Sequence, residues 1–313
     1  MNLNKFFTIL VLLIMFGMLV VYWFFPFNNF EDAKIKNTIN SENYTLNNDF
    51  NLSHSQEHFQ FYPYLRYRDK NISYLIYDSC SLNKKDEMNR AMDILENETI
   101  IDFYVYDNSM QGGEEITITC QEENIEKGGL FVAGEGGPTE IVKSGKYNII
   151  KKGEVLLIRE TECAKPNVAL HELLHALGFD HSENPRNIMF SVSKCYQRLG
   201  NEIPKKINEI YSIPSLPDLA FKEVSHNPHQ RYLDFNLSIV NVGVDSTEGD
   251  ENVVIDVNNK TVKNISLESL GPGEGTKYML KNIFLNQLKI KEIRFYIEAG
   301  EELNKSNNKV IFN

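Results

Sequence analysis

His171 to Phe190 reads HELLHALGFDHSENPRNIMF, and this stretch decides what the rest of the chain can be. A helix is predicted to begin near Asn167, just after Pro166, and to run to Leu177, because proline suits a helix entry and apolar residues follow. On that helix His171 and His175 stand at i and i+4. They project from one face, so both imidazoles reach one metal ion. Glu172 follows the first histidine directly, which points it beside the metal towards a bound water. Gly178 comes three residues after His175, where the chain must leave the helix, and glycine accepts the positive φ of a helix C-terminus. The reversal lets His181 approach the same ion as a third nitrogen ligand. Three protein ligands leave a fourth position open, which is the catalytic rather than the closed structural arrangement. Surface histidines on an amphipathic helix would need neither Gly178 nor His181 at their places.

Upstream of the quoted stretch the pattern is mixed. Strands are predicted at 72–77, 100–106 and 115–120, and a helix over 84–97 from Met88, Ala91, Met92 and Leu95. Residues 128–139 are glycine-rich. They lack GK[ST], so they are read as a cleft-rim loop rather than a phosphate loop, with Glu135 in it. Segments 147–150 and 154–158 are predicted to pair across Lys151-Lys152-Gly153. A further helix is placed at 204–211. Strands plus two or three helices give an α+β domain over 61–212. After the Pro-punctuated stretch 212–217 come short strands separated by Asn, Gly and Pro turns, predicted at 219–224, 232–242, 253–257, 276–280, 292–298 and 309–312. That is the signature of an all-β sandwich over 217–313.

At the other end, Phe6 to Phe27 carry no charge and are long enough to span a bilayer as a helix. Tyr22, Trp23, Phe24 and Phe25 close the run as an aromatic belt. No small-residue cleavage site follows, so residues 1–27 are read as one uncleaved N-terminal transmembrane signal anchor rather than a cleaved signal peptide. Residues 28–60 are polar and Asn-rich and are read as a tether, with a pro-segment as the rival reading. His54 and His58 belong to it. Lys5 and the amino terminus precede the span while Lys34 and Lys36 follow it, so the positive-inside rule gives only a lean, which the four cysteines share, towards an N-terminus in the cytoplasm and the rest outside a cell membrane crossed once. The 313-residue chain is 42% hydrophobic and carries a net charge of −11, so it can build cores but offers no basic face for nucleic acid. Four cysteines in an exported chain suggest disulfides, and the absence of C-x-x-C argues against a cysteine zinc knuckle. Cys80 and Cys120 each end a predicted strand, so Cys80–Cys120 with Cys163–Cys195 is the expected pairing among three connectivities.

The segment 167–196 resembles the metzincin metalloproteases, whose pattern is HExxHxxGxxH followed by a Met-turn. Ser182 directly after the third histidine, and Asn-Ile-Met-Phe at 187–190, look like the matrixin branch. With Cys163 and Cys195 bracketing the helix, the pattern looks most like the matrixin-like proteins of archaea. The resemblance implies a metzincin-like fold of mixed sheet plus zinc-binding helix and one catalytic zinc ion on His171, His175 and His181. It also implies Met189 as the apolar floor, Glu172 as general base and acid, and protein or peptide substrates for a zinc endopeptidase. No thiol-switch pattern precedes the domain, the structural zinc and calcium loops of animal matrixins are missing, and Phe190-Ser191 leaves no tyrosine ligand two residues past Met189. A second zinc is therefore not expected. Pro-Asp-Leu at 217–219, Val-Asn-Val-Gly at 240–243, Leu-Gly-Pro-Gly at 270–273 and Glu-Leu-Asn-Lys-Ser-Asn-Asn at 302–308 resemble the CARDB modules of prokaryotic surface proteins. That likeness implies an immunoglobulin-like sandwich and a cell-surface partner. Asp245, Glu248, Asp250 and Glu251 are read as a solvated loop, with nothing beyond their charge to support calcium there. His226 and His229 are read as loop residues. The rival function is a surface adhesin with a metal-binding but inactive metzincin fold, against which Glu172 speaks. An intramembrane metalloprotease is excluded by the charges around the motif.

Overall fold

A computed structural model describes residues 59–107, 113–122, 126–127, 130–159, 163–287 and 289–313. The anchor, and the tether up to residue 58 with His54 and His58, lie outside the described residues, among which no helix is long and apolar enough to cross a membrane.

The first part is a six-stranded sheet built around β8 (Tyr147–Leu157). One edge of β8 takes β1 (Leu65–Tyr67) and then β4 (Ile116–Cys120), both parallel. Beyond β4 lie β2 (Asn71–Ile76) and β3 (Asp102–Val105), also parallel. The other edge of β8 takes β7 (Gly134–Ser144), antiparallel. A two-stranded ribbon, β5 (Glu126–Lys127) with β6 (Leu130–Phe131), precedes it. The hairpin expected within β8 does not form. Gly153 pairs with Pro138 on one side, and its N–H donates to Glu115 O at 2.8 Å on the other, so partners on both edges override the local turn signal. For the same reason the glycine-rich run from Gly134 is strand rather than loop.

Three helices accompany the sheet: α1 (Leu82–Glu98), α2 (Asn167–Ala176) and α3 (Glu202–Tyr211). Ser81 caps α1, its Oγ accepting the Lys84 N–H, and Met88, Ala91, Met92 and Leu95 form its buried stripe. In contrast, all ten residues of α2 are buried, including His171, Glu172 and His175. It packs between β7, β8 and α1. A helix buried on every side survives only in such a layer, and polar residues on it are costly unless they are partnered.

The second part is two sheets packed face to face. One holds β9 (Leu219–His229), β10 (Tyr232–Asn241) and β13 (Gly275–Phe284). The other holds β11 (Asn252–Val257), β12 (Lys260–Ser266), β14 (Ile293–Glu298) and β15 (Lys309–Phe312). Leu233, Phe235, Leu237 and Ile239 of β10 alternate inward to meet Val253, Ile255 and Phe295. The Phe235 and Phe295 rings meet edge to face at 5.6 Å, bridging the two sheets. β12 has no counterpart among the expected strands. Asn258 and Asn259 both take positive φ, 49° and 62°, as a two-residue hairpin turn requires, and they return the chain along β11.

The two parts are in contact. Tyr147, Ile149 and Val244 share a small apolar cluster, joined by Ile213 and Leu303. Ser144 Oγ donates to Gly243 O at 2.6 Å. Arg66 is buried without a carboxylate. It donates instead to the carbonyls of Ile210 and Ile213 at 2.9 and 2.7 Å, where α3 ends, and lies over the Tyr211 ring. A helix C-terminus favours a cation there.

Candidate metal centre

Helical spacing puts His171 and His175 one above the other on α2, and the tertiary fold fixes their rings. His171 Nδ1 donates to Ile188 O and His175 Nδ1 to Phe179 O, each at 2.7 Å. A carbonyl can only accept, so each Nδ1 carries the proton and each Nε2 carries a lone pair. Gly178 takes φ +92° just after α2, which turns the chain back. His181 then arrives, its backbone N–H held by Asp180 Oδ1 at 2.7 Å. The three side chains offer ligand atoms within 4.8 Å of one another, the one such group of His, Cys, Asp or Glu among the described residues.

The donor set fits a zinc ion. His175 Nε2 lies 3.0 Å from His171 Nε2 and 3.2 Å from His181 Nε2. Two lone pairs at such a distance repel unless a cation lies between them. Zinc–nitrogen bonds of about 2.0–2.1 Å in a tetrahedron set neighbouring nitrogens about 3.3 Å apart, close to what is seen. Burial pushes the His171 ring below its ordinary pKa, His181 likewise, and His175 down to about 3. All three are therefore neutral at neutral pH, the form that ligates.

The turn below the site is built by Asn187. Its Oδ1 accepts the Met189 N–H at 2.8 Å and its Nδ2 donates to Glu202 Oε1 on α3 at 2.8 Å. Met189 is 2% exposed and belongs to the core, and its carbonyl accepts the Ser182 N–H next to His181. The same turn supplies the Ile188 carbonyl to His171, so floor and ligand orientation are set by one device. Glu172 is buried, and its carboxyl is raised to about 8, first by burial and then by the charge of Glu135. β7 runs against it. A Cβ at Gly134 would lie 2.7 Å from Glu172 Cγ, and one at Gly136 would overlap the Glu172 carbonyl. Glycine here lets strand and helix approach to contact.

A cleft of about 580 Å³ contains the three histidines and Glu172. Glu135 is exposed on its rim, and Val168 and Ser191–Ser193 lie on its walls. Phe61 also lines it and stacks on His175, with ring centroids 5.8 Å apart and planes 18° apart. Sequence reasoning missed Phe61 and the carbonyls of Phe179 and Ile188. Only the Met-turn pattern hinted at the last.

Cys80 pairs with Cys120 and Cys163 with Cys195. The second bridge brackets α2, whose Asn167 Nδ2 also donates to Lys194 O at 2.7 Å. With sequence separations of 40 and 32, chain entropy gives each bridge about 4 kcal/mol. His226 and His229 lie on β9, not in loops, and away from this centre. His226 meets Phe312, and His229 approaches Asp234 at 3.9 Å. In the acidic loop, Glu251 turns its carboxylate to the backbone N–H groups of Glu248 and Gly249 at 3.0 and 2.9 Å.

Comparison with known proteins adds the following. Residues 60–192 match the model of the astacin peptidase family, a branch of the metzincins other than the matrixin one that Ser182 and residues 187–190 suggest. No curated protein matches the chain. Among solved structures, a crystal structure of the CARDB domain of a Pyrococcus furiosus protein, in complex with di-metal ions, is 22% identical. It covers 31% of this chain and 85% of that one, with a TM-score of 0.25. A solution structure of the same domain is 22% identical over 31% of this chain and 92% of that one, with a TM-score of 0.26. High choriolytic enzyme 1, a hatching enzyme zinc-protease from the medaka fish Oryzias latipes, is 22% identical over 36% of this chain and 46% of that one, with a TM-score of 0.23.

Proposed function

We propose that this chain is a metzincin-type zinc endopeptidase, held at a cell membrane by residues 1–27 and acting outside on proteins or peptides. The observation that carries the reading is the convergence of three neutral imidazoles, two of them locked by backbone carbonyls, in one cleft with a buried carboxyl. The astacin family match over 60–192 supports it.

His171, His175 and His181 would hold the zinc through Nε2. Bound there, the ion supplies Lewis acidity, acidifying a water and polarising the scissile carbonyl. The protein's own residues do the rest. Ile188 and Phe179 accept the Nδ1 protons, which keeps the rings in one tautomer and raises their basicity as ligands. Glu172 takes the proton of the attacking water on its carboxylate and passes it to the leaving nitrogen. Glu172, raised by burial and by Glu135, would be held in the ionised form that can accept this proton by the positive charge of an ion on the three histidines. β7 pairs with β8 alone among the described residues, so its other edge can align an extended peptide along the cleft. The C-terminal sandwich is assigned an immunoglobulin-like, CARDB-like role in adhesion or presentation, and nothing in it enters the chemistry.

The test uses the full chain in detergent beside its Glu172→Gln form. Both are assayed for bound zinc and for cleavage of a mixed peptide library. Cleavage by the parent alone, with one zinc in each, is expected. Zinc in both with cleavage by neither overturns the peptidase reading in favour of a metal-binding adhesin.

A further inference from the structure

The chain holds 35 asparagines and 30 serines and threonines, so about three Asn-x-Ser/Thr tripeptides without proline at x are expected by chance, and there are eight. Two, at Asn43 and Asn51, lie outside the described residues. The other six begin at Asn71, Asn97, Asn236, Asn259, Asn264 and Asn304, and all six of these asparagines are exposed. Of the 17 described asparagines outside the pattern, only eight are exposed. Buried ones such as Asn167, Asn187 and Asn241 hold internal hydrogen bonds instead. Exposure here follows the tripeptide, not the residue type.

Local geometry points the same way. Asn259 turns the β11–β12 hairpin, and Asn264 lies on β12 at the edge of its sheet, where a bulky group meets no further strand of that sheet among the described residues. Asn304 Oδ1 accepts both the N–H and the Oγ–H of Ser306, at 3.0 and 2.7 Å. The third residue of that tripeptide thus binds the amide oxygen of the first and not its nitrogen. Ser238 is the sharpest observation. It is 2% exposed on β10, two residues after exposed Asn236, and its Oγ has no hydrogen-bond partner. A buried hydroxyl left unpaired costs stability, and alanine would fit the same place. The fold gives no reason for a serine there. The tripeptide gives one, if the hydroxyl is used on the newly made chain before β10 is buried.

We propose that these six asparagines accept N-linked oligosaccharide, from a lipid-phosphate-linked sugar donor and a membrane transferase separate from this chain. In the transfer the amide Nδ2 bonds to the anomeric carbon of the sugar. The carbon–oxygen bond to the lipid phosphate breaks, and the lipid phosphate leaves with that electron pair. The amide nitrogen gives one proton to a base of the transferase. The sugars cover the sandwich most densely, since Asn236, Asn259, Asn264 and Asn304 all lie in it and only Asn71 and Asn97 lie in the first part. This assignment rests on the reading that the chain beyond residues 1–27 is exported, because donor and transferase act on exported chains. It is independent of the zinc chemistry.

The test takes the full chain in detergent from the cells that make it, digests it and measures the mass of each peptide. A sugar-sized increment is expected on most of the six asparagine peptides, and none on peptides of Asn227 and Asn282, which are also exposed but lie outside the pattern. Ser238→Ala should lose the increment at Asn236 alone, with Tm unchanged or raised, because it removes an unpaired buried hydroxyl. Ser306→Ala, at an exposed position, should do the same at Asn304 whether or not the first variant folds. Protease added to intact cells reads which side of the membrane the chain occupies. A chain that is outside and bare at most of the six overturns the assignment and leaves the export reading standing. Sugar kept at Asn236 in Ser238→Ala or at Asn304 in Ser306→Ala, or sugar on Asn227 or Asn282, also overturns it. A chain that is inside and bare overturns the export reading and this assignment with it.

Discussion

Among the regions that bury polar groups in the described residues, α2 and the surroundings of Asn241 do so to different ends. On α2 the buried groups face one another: the Nε2 atoms of His171 and His175 lie 3.0 Å apart, with exposed His181 beyond the helix 3.2 Å from His175, while every Nδ1–H of the helix histidines is spent on a carbonyl. Around Asn241 the buried groups face the backbone. Its Oδ1 accepts the N–H groups of Asp218 and Gly243, and its Nδ2 donates to the carbonyls of Asp245 and Leu270. Four hydrogen bonds exhaust that amide and tie together β9, β10 and two loops. The Asn241 arrangement is complete in itself, while the histidines present electron pairs that need a cation. A satisfied network specifies a fold, and an unsatisfied one marks a binding site.

The sharpest way to break this comparison is at Glu172. Glu172→Gln is expected to lower kcat by about 10²–10⁴-fold with zinc retained, the range for losing a general acid–base. Zinc loss in that variant would mean the residue is structural. Next comes the Cys163–Cys195 bridge. Replacing both cysteines by serine should lower stability by about 2–4 kcal/mol in urea unfolding, and a change below about 0.5 kcal/mol would show that the bridge does not hold α2 in place.

Asn187→Ala strips the turn below the site of two side-chain bonds. It should weaken zinc binding about 10–100-fold in competition with a chelator, and leave the unfolding of the sandwich unchanged. Unaltered zinc affinity would separate the Met189 turn from ligand orientation.

Acid gives a gentler test. Folded His175 stays neutral down to about pH 3, whereas the unfolded chain takes up that proton near the ordinary value of 6.5. Between those limits the unfolded state binds more protons, so stability falls as pH falls. The metal-free chain should show a lower urea midpoint at about pH 5 than at about pH 7, and His175→Gln a shallower fall. Identical slopes would contradict it. Smallest of all, Asp250→Asn in the exposed acidic loop should change stability by less than about 0.5 kcal/mol.

What the sequence makes legible is local. The i, i+4 histidines, the glycine that ends α2 and the third histidine are all encoded between positions 171 and 181, and a helix converts that spacing into geometry. The stripe of α1 and the alternation of β10 are legible for the same reason. What stays hidden is set by distant chain. Lys151-Lys152-Gly153 reads as a turn, yet β4 and β7 hold it straight from either side. The glycines at 134 and 136 read as a loop, yet they let β7 touch Glu172. Phe61 lies far upstream of His175 and carries no motif, so only the fold shows them stacked. β12 is open to a closer reading, because paired asparagines between strands signal a two-residue hairpin.

The most direct test of the central claim is zinc reconstitution. The full chain is stripped by chelation, then titrated with zinc while library cleavage is followed, beside a His175→Ala chain. Activity is expected to vanish on stripping and return in proportion to zinc, reaching its plateau at one ion per chain, with no return in His175→Ala. Cleavage that survives stripping, or that zinc restores equally in the variant, would contradict it.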